Sequence, residues 1–297
     1  LVAYLRRERP VAVLAAKDRA IRVAVVARRL AGVPLRLVGR LGTTVTAALA
    51  DRPALTRSLW YLGMRGFYPR LDALVAVSEG VAADVSAITG LPADRVAVVR
   101  NPVITPELER LAAAGPAQRE PAGGRDTPVV LGMGRLTRQK DFPTLLRAFA
   151  RVRAGRPCRL VILGEGRDRG ELSGLARSLG VAGGVALPGF LANPYPGLAA
   201  ADVFVLSSAW EGSPNALTEA MALGTPVVAT DCPSGPREIL RGGAVAPLVA
   251  VGDEAAMADA IRAQLERPTP AGRLREAVRE YHVDVSAGAY ARVLGVD

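Results

Sequence analysis

Short apolar runs separated by amphipathic stretches of helical length are the feature that most restricts what this chain can become. Four of them, VAVLAA, PLRLVG, DALVAVS and RVAVVR, lie between Val11 and Arg100, and five, PVVLGMG, RLVILGEG, GVALPGF, DVFVLSS and PVVAT, lie between Pro128 and Thr230. Runs of this kind suit strands buried on both faces, and the helical intervals supply the crossovers that parallel neighbours require. Asn101-Pro102 breaks the pattern, and the Ala-, Gly- and Pro-rich stretch from Ala112 to Pro128 reads as a linker after a short helix. The expectation is two α/β units with a cleft between them. Their bounds are 1–105 for the first unit, 106–128 for the linker, 129–280 for the second unit, and 281–297 for a C-terminal helix packing back toward the first. The chain opens on Leu1 inside a helical pattern, LVAYLRRERP, with no strand or glycine-rich turn before it. The first unit therefore reads as cut short at its N-terminus.

With 297 residues, half of them hydrophobic, each unit has apolar side chains enough for its own core. No apolar run approaches the roughly 18 residues that span a bilayer, and no signal-peptide pattern opens the chain, so a cytoplasmic location is expected. Cys158 and Cys232 have no metal-ligand spacing, and the single histidine, His282, reads as a surface or packing residue. Formal net charge is +10, nearly all of it before Asn101, in Arg6, Arg7, Arg9, Lys17, Arg19, Arg22, Arg28, Arg29 and their neighbours. Few aromatic residues accompany these arginines and no nucleic-acid-binding motif occurs, which disfavours nucleic acid as a partner. A solvated helix face and a docking face for an anionic membrane surface both remain open.

The chemistry concentrates in AWEGSPNALTEAMALGTPVVATD, Ala209 to Asp231. Ser213 is a preferred cap for a helix starting at Pro214, and Gly224 and Pro226 stop it. Asn215 and Glu219 share one face of that helix, while Leu217, Ala220, Met221 and Leu223 form the apolar one. The free amides of Ser213 to Ala216 offer an anion site. Glu211 stands just outside it, where a carboxylate can accept sugar hydroxyls, and Glu219 can accept the two hydroxyls of a ribose. In LGMGRLTRQKDFPTLLRAFA, a strand ends in Gly132-x-Gly134, and Arg135, Arg138 and Lys140 precede a helix capped by Asp141. Cations at a helix start oppose its dipole, and a bound diphosphate would remove the conflict. GEGRDRG, Gly164 to Gly170, lacks the G-x-G-x-x-G spacing of a dinucleotide fingerprint, which disfavours a dehydrogenase. Gly164 and Gly166 read instead as places where backbone approaches a nucleotide. LPGFLAN would bring Phe190 near a base.

Together, GRLTRQKDF, GEG, PGF, NPYPGLAAADVFVLSSAWEGSPNALTEAMALGTPVV and TDCPSGPREIL resemble the retaining glycosyltransferases of family four, which carry a Glu-x7-Glu signature on the GT-B fold. The resemblance is close from about Val129 to Leu240 and holds only in outline before that. It implies two Rossmann-like domains facing a cleft and transfer of a hexose or N-acetylhexosamine from a nucleoside-diphosphate sugar to a glycan or lipid-linked acceptor. TDCPSGPREIL is most similar to members using UDP sugars. By the same resemblance Glu211, Arg135 and Lys140 are the catalytic set, with Glu211 on the transferred sugar and Arg135 and Lys140 on the diphosphate. The donor-binding set is Gly134, Arg135, Lys140, Gly164, Gly166, Phe190, Gly212, Ser213, Pro214, Asn215, Ala216 and Glu219. No metal and no cofactor beyond the donor is expected, and no Asp-x-Asp pair occurs. The family's usual N-terminal glycine-rich loop and mid-domain histidine have no counterpart here: the corresponding region reads RLVGRLGTTV. A nucleotide-sugar-binding module without turnover is therefore the alternative.

Overall fold

The computed structural model describes residues 1–114 and 127–296. In the N-terminal domain, β1 (Ala12–Ala16), β2 (Arg36–Leu41), β3 (Ala73–Ala76) and β4 (Val96–Val98) form a parallel sheet in sequence order. In the C-terminal domain, β5 (Val129–Met133), β6 (Arg159–Leu163), β7 (Val185–Gly189), β8 (Val203–Leu206), β9 (Val227–Thr230) and β10 (Leu248–Val249) form a second parallel sheet, ordered β10-β9-β8-β5-β6-β7. All nine apolar runs of the sequence thus appear as strands. Only the two-residue β10 had no such run to announce it.

The strand order of the second sheet positions the site. From β5 the chain moves outward to β6 and β7, then returns to the other side of β5 for β8, β9 and β10. At such a reversal the connections leave neighbouring strands in opposite directions and open a crevice at their carboxyl ends. The segments that emerge there are 134–141 after β5 and 207–214 after β8, the two stretches singled out by their chemistry.

Helices close both faces. The helix Phe142–Gly155 lays Leu145, Leu146, Phe149 and Val152 on one face of the second sheet beside Met257 and Ile261. On the other face, Leu217, Ala220 and Met221 of the helix Asn215–Leu223 pack with Leu198, Ile239, Leu240 and Leu274. That leaves the Asn215 end of the helix to face the cleft. In the first domain Ile21, Val25, Met64, Tyr68, Val81 and Val85 cover one side of the sheet. The other side, Val38, Val75 and Val99, receives Tyr290, Val293 and Leu294 from the C-terminal helix Val283–Leu294. Arg36 and Arg40 fasten that helix, donating to the Val293 carbonyl at 2.7 Å and to the Tyr290 hydroxyl at 2.8 Å.

The expected linker needs correction. Residues Pro106–Ala113 are a helix, started by Pro106 in its first turn and capped by Thr105, whose hydroxyl accepts from the Leu108 amide at 3.2 Å. It packs against the helices Tyr195–Ala200 and Asn215–Leu223, and Asn193 donates to the Leu111 carbonyl at 2.9 Å. It therefore belongs to the C-terminal domain. The rest of the expected linker, apart from its ends, lies outside the described residues.

Candidate active site

Lys140 and Glu211 meet at the centre of the cleft. Lys140 Nζ stands 2.6 Å from Glu211 Oε1, with the two side chains only 15% and 9% exposed, and Ser208 Oγ donates to the same oxygen at 2.7 Å. The pair is held from both sides of the strand reversal. Ser207 Oγ donates to the Lys140 carbonyl at 2.7 Å and the Ala209 amide to the Gln139 carbonyl at 2.8 Å, fixing the turn after β5 onto the loop after β8. The Lys140 stem lies across Gly134, where a Cβ would come within 2.7 Å of its Cε. Gly134 thus leaves room for the lysine to reach Glu211.

The helix behind Glu211 begins one residue later than the sequence suggests. Pro214 occupies the cap position, the helix runs Asn215–Leu223, and Ser213 makes no capping bond, its Oγ being buried. The proline has no N–H to be satisfied, and among the described residues the amides of Asn215 and Ala216 find no backbone acceptor. They remain available to an anion beside Lys140. Glu219, one turn in, lies 3.4 Å from the Tyr195 hydroxyl. Burial pushes its carboxyl above the usual range, opposed by Tyr195 and by Lys140.

Phe190 is 77% exposed and, with Met133, Leu163, Leu191 and Pro194, walls a largely apolar pocket of ≈ 400 Å³ that Gly134, Arg135 and Gly164 also line. Arg135 extends from the rim, and among the described residues its guanidinium donates to the Gln139 side chain, at 3.4 Å. Arg138 is turned away and paired with Asp51 of the N-terminal domain. Gly164 and Gly166 have a different first reason from the one expected. A Cβ on Gly164 would stand 2.0 Å from the Gly134 carbonyl oxygen, and one on Gly166 would stand 2.1 Å from that of Leu136. They let the loops after β5 and β6 pack on each other and so shape the pocket wall. Asp141 occupies the helix cap position in a left-handed conformation, φ 44°, and its carboxylate receives the Thr144 hydroxyl at 2.7 Å rather than a helix amide.

The N-terminal domain closes on the same segments. Gly212 pairs with Thr43 in an isolated antiparallel bridge, and a Cβ on it would come within 2.2 Å of the Gly42 carbonyl oxygen. Asn101 Nδ2 donates to Asn215 Oδ1 at 2.7 Å, and the Ser78 and Ser234 hydroxyls lie 2.9 Å apart. Glu238 accepts from the amides of Glu79 and Gly80, both at 2.9 Å, and pairs with Arg100 at 2.6 Å. Sequence reasoning did not single out Tyr195, Arg100 or Glu238. Tyr195 lies inside NPYPGLAAAD and Glu238 inside TDCPSGPREIL, so their place in those motifs was the available signal, and Arg100 had none.

Solved structures share this two-domain arrangement over nearly the whole chain. The lipopolysaccharide outer core galactosyltransferase WaaB superposes with a TM-score of 0.74 at 21% identity, over 99% of this chain and 77% of that one. Anabaena Alr3699/HepE, solved in complex with UDP-glucose, gives a TM-score of 0.79 at 20% identity, over 99% and 81%. The fold is GT-B. Both GT-B domains also match glycosyltransferase families: residues 1–102 the "Glycosyl transferase 4-like domain" and residues 127–267 "Glycosyl transferases group 1". Among curated relatives, the lipopolysaccharide core biosynthesis glycosyltransferase LpsE of Rhizobium meliloti is 38% identical over 167 residues, 56% of this chain and 47% of that protein. The N-acetylgalactosamine-N,N'-diacetylbacillosaminyl-diphospho-undecaprenol 4-alpha-N-acetylgalactosaminyltransferase of Campylobacter jejuni is 32% identical over 199 residues, 67% of this chain and 52% of that protein. The chain thus spans about half the length of these relatives.

Proposed function

We propose that this GT-B chain is a retaining glycosyltransferase, moving a hexose or N-acetylhexosamine from a nucleoside-diphosphate sugar, with UDP the favoured nucleotide, to a glycan or lipid-linked acceptor. The observation that carries the reading is the buried Lys140–Glu211 pair in the crevice of the strand reversal, near the start of the Asn215–Leu223 helix, whose Asn215 and Ala216 amides find no backbone acceptor among the described residues. A cation and a helix start together suit a diphosphate. In this reading the base enters the Phe190 pocket, Glu219 accepts the ribose hydroxyls, and Glu211 accepts hydroxyls of the transferred sugar. As the sugar–phosphate bond breaks, negative charge grows on the departing phosphate. In this reading Lys140, Arg135 and the helix amides meet that charge, and the protein's own donors take the part a metal ion would otherwise play.

The comparisons support the transferase class through both domain matches and the lipopolysaccharide and lipid-linked substrates in the relatives' names. The test incubates the protein with UDP-glucose, UDP-N-acetylglucosamine and GDP-mannose, and follows donor hydrolysis by mass spectrometry and the released anomer by NMR. Release of the sugar with its original anomeric configuration is expected from a UDP sugar. Measurable UDP binding without turnover of any donor would instead favour a non-catalytic nucleotide-sugar-binding module.

A peripheral position on an anionic membrane belongs to the same proposal. On the helix Ala54–Phe67, Leu55, Leu59 and Leu62 recur at four- and three-residue spacing and are 71%, 59% and 64% exposed, with Arg52, Arg57 and Arg65 nearby. An apolar stripe edged by arginines suits a lipid interface, and no described helix is long and apolar enough to cross a membrane. Flotation with anionic vesicles should recover the protein and high salt should reduce that recovery; equal recovery on neutral vesicles would remove the electrostatic part.

A further inference from the structure

Next to the donor crevice, on the other side of Arg135, the two domains enclose a second pocket of ≈ 480 Å³. Its walls bring together Arg135, Arg138 and Arg167 from the C-terminal domain, Arg52 and Asp51 from the N-terminal domain, and Trp210. Four guanidinium groups face one carboxylate. Asp51 is already taken by Arg138, Arg167 Nε lies 3.3 Å from Asp168 outside the pocket, and Arg52 has no carboxylate partner among the described residues. With Arg138 and Arg167 each paired to a carboxylate, Arg52 and Arg135 are left without one among the described residues, and the closed pocket keeps an excess of positive charge until an anion enters.

We infer that this pocket is a second anion site, which takes a phosphate group attached to a sugar or a lipid. Naming that ligand the acceptor rests on the transferase reading; the binding itself does not. Guanidinium groups present paired N–H donors that match phosphate oxygens, and a dianion would offset the excess charge that the carboxylate leaves. Trp210 gives the pocket a flat apolar wall beside the charges. The residue that follows it is Glu211, so a group held here lies next to the proposed sugar position. Lys140, Glu211, Glu219 and the Asn215 helix start do not line the pocket, and Arg135 alone lines both. A nucleotide in one and a phosphate in the other can be bound together. Because Arg52 and Asp51 come from the opposite domain, this pocket is complete only with the cleft closed.

Calorimetry tests this with glucose 1-phosphate as the probe, titrated into the protein alone and into protein saturated with UDP, with glucose as the uncharged control. Saturable binding of glucose 1-phosphate to the UDP-saturated protein is expected, with none for glucose. Arg52→Ala and Arg167→Ala should each weaken it at least tenfold while leaving the Kd for UDP within twofold, and circular dichroism confirms that both variants fold. Neutral vesicles with and without polyprenyl phosphate distinguish the sources: co-sedimentation that needs the phosphate and is lost in Arg167→Ala, which lies away from the arginines of the proposed membrane face, assigns a lipid carrier, and its absence alongside glucose 1-phosphate binding assigns a soluble phosphosugar. Failure of glucose 1-phosphate to bind the UDP-saturated protein, or equal binding by wild type and both variants, overturns the inference. If UDP itself does not bind, the donor reading fails, and the titration of UDP-free protein with the two variants still decides the pocket.

Discussion

Replacing Lys140 by methionine isolates the interaction on which the proposed chemistry turns. The substitution keeps most of the aliphatic stem that crosses Gly134 and removes only the ammonium group, leaving Glu211 with Ser208 as its hydrogen-bond donor. Both partners are nearly buried, at 15% and 9% exposure, so water cannot replace the lost cation without rearrangement. Removing one member of such a pair costs about 3–5 kcal/mol, because the other charge stays buried and uncompensated. At about 2–4 °C per kcal/mol for a unit of this size, the melting temperature should fall by roughly 6–20 °C. The double variant Lys140→Met with Glu211→Gln removes both charges and should recover much of the loss, which differential scanning calorimetry reads as a non-additive cycle. UDP adds a second readout: at 100 times its Kd it should stabilise the wild type by about 2.7 kcal/mol and Lys140→Met by much less. A single variant within about 1 kcal/mol of wild type, or a cycle additive to within about 0.5 kcal/mol, would refute the claim that the two side chains act as one unit.

Three further outcomes follow from the same geometry. Arg135→Ala should weaken UDP by about 1.5–3 kcal/mol in calorimetry, the worth of a charged hydrogen bond, whereas Arg138→Ala, engaged with Asp51, should change it far less. Burial raises the Glu219 carboxyl, so the folded protein holds that proton to higher pH than the unfolded chain does. Stability from that group is present below its unfolded pKa and is lost as pH rises through the folded one, while the ribose hydroxyls require the carboxylate. UDP affinity should therefore climb with pH through the raised value and then level off, and Glu219→Gln should flatten that profile while raising the melting temperature at neutral pH. Burial first, and the Glu211 carboxylate second, push the Cys232 thiol up to about 12, so the folded protein should give no reaction at Cys232 with a thiol reagent at pH 8 until it is denatured.

The strands were legible because each is a mostly apolar run, from VAVLAA to PVVAT, with Arg36 in PLRLVG the exception inside one, and parallel strands covered on both faces leave that mark. Strand β10 left none, since its two residues are too few to form a recognisable run. The Glu211 and Glu219 positions were legible from the helix start between them, although the start itself was placed one residue early. Ser213 has the right chemistry for a cap, but Gly212 is drawn against Gly42 and Thr43, and the chain after it enters the helix at Asn215. The same tertiary contact explains why Gly212, expected near sugar and phosphate, is first of all a residue where two backbones touch. The direct Lys140–Glu211 pair could not be read from residues seventy-one positions apart. It depends on β5 and β8 being neighbours, which follows from strand order and from nothing local.

How the two domains are joined also bears on the chemistry. Contacts across the cleft from the ends of β2, β3 and β4 include three that reach segments flanking Glu211 or the helix behind it, Thr43 to Gly212, Ser78 to Ser234 and Asn101 to Asn215, and a set on Glu238, which takes the Glu79 and Gly80 amides and pairs with Arg100. All are polar contacts, which water can replace, and contacts of that kind permit opening and closing. The C-terminal helix Val283–Leu294 is attached differently, by Tyr290, Val293 and Leu294 packed on the apolar face of the first sheet, with Arg36 and Arg40 fastening it. Separating it would expose that face to water, so it moves with the N-terminal domain. The chain passes between the domains at 101–104 and again at 281–283, and these two passages lie side by side, with Val103 and Ile104 both donating to the Tyr281 carbonyl and Val283 to that of Ile104. The paired crossings thus offer a pivot for motion between the domains, and Asn101, which reaches Asn215, belongs to the first of them. A diphosphate bound at Lys140 and the Asn215 amides would sit against the very groups that hold the cleft shut, which couples the occupancy of the site to its closure.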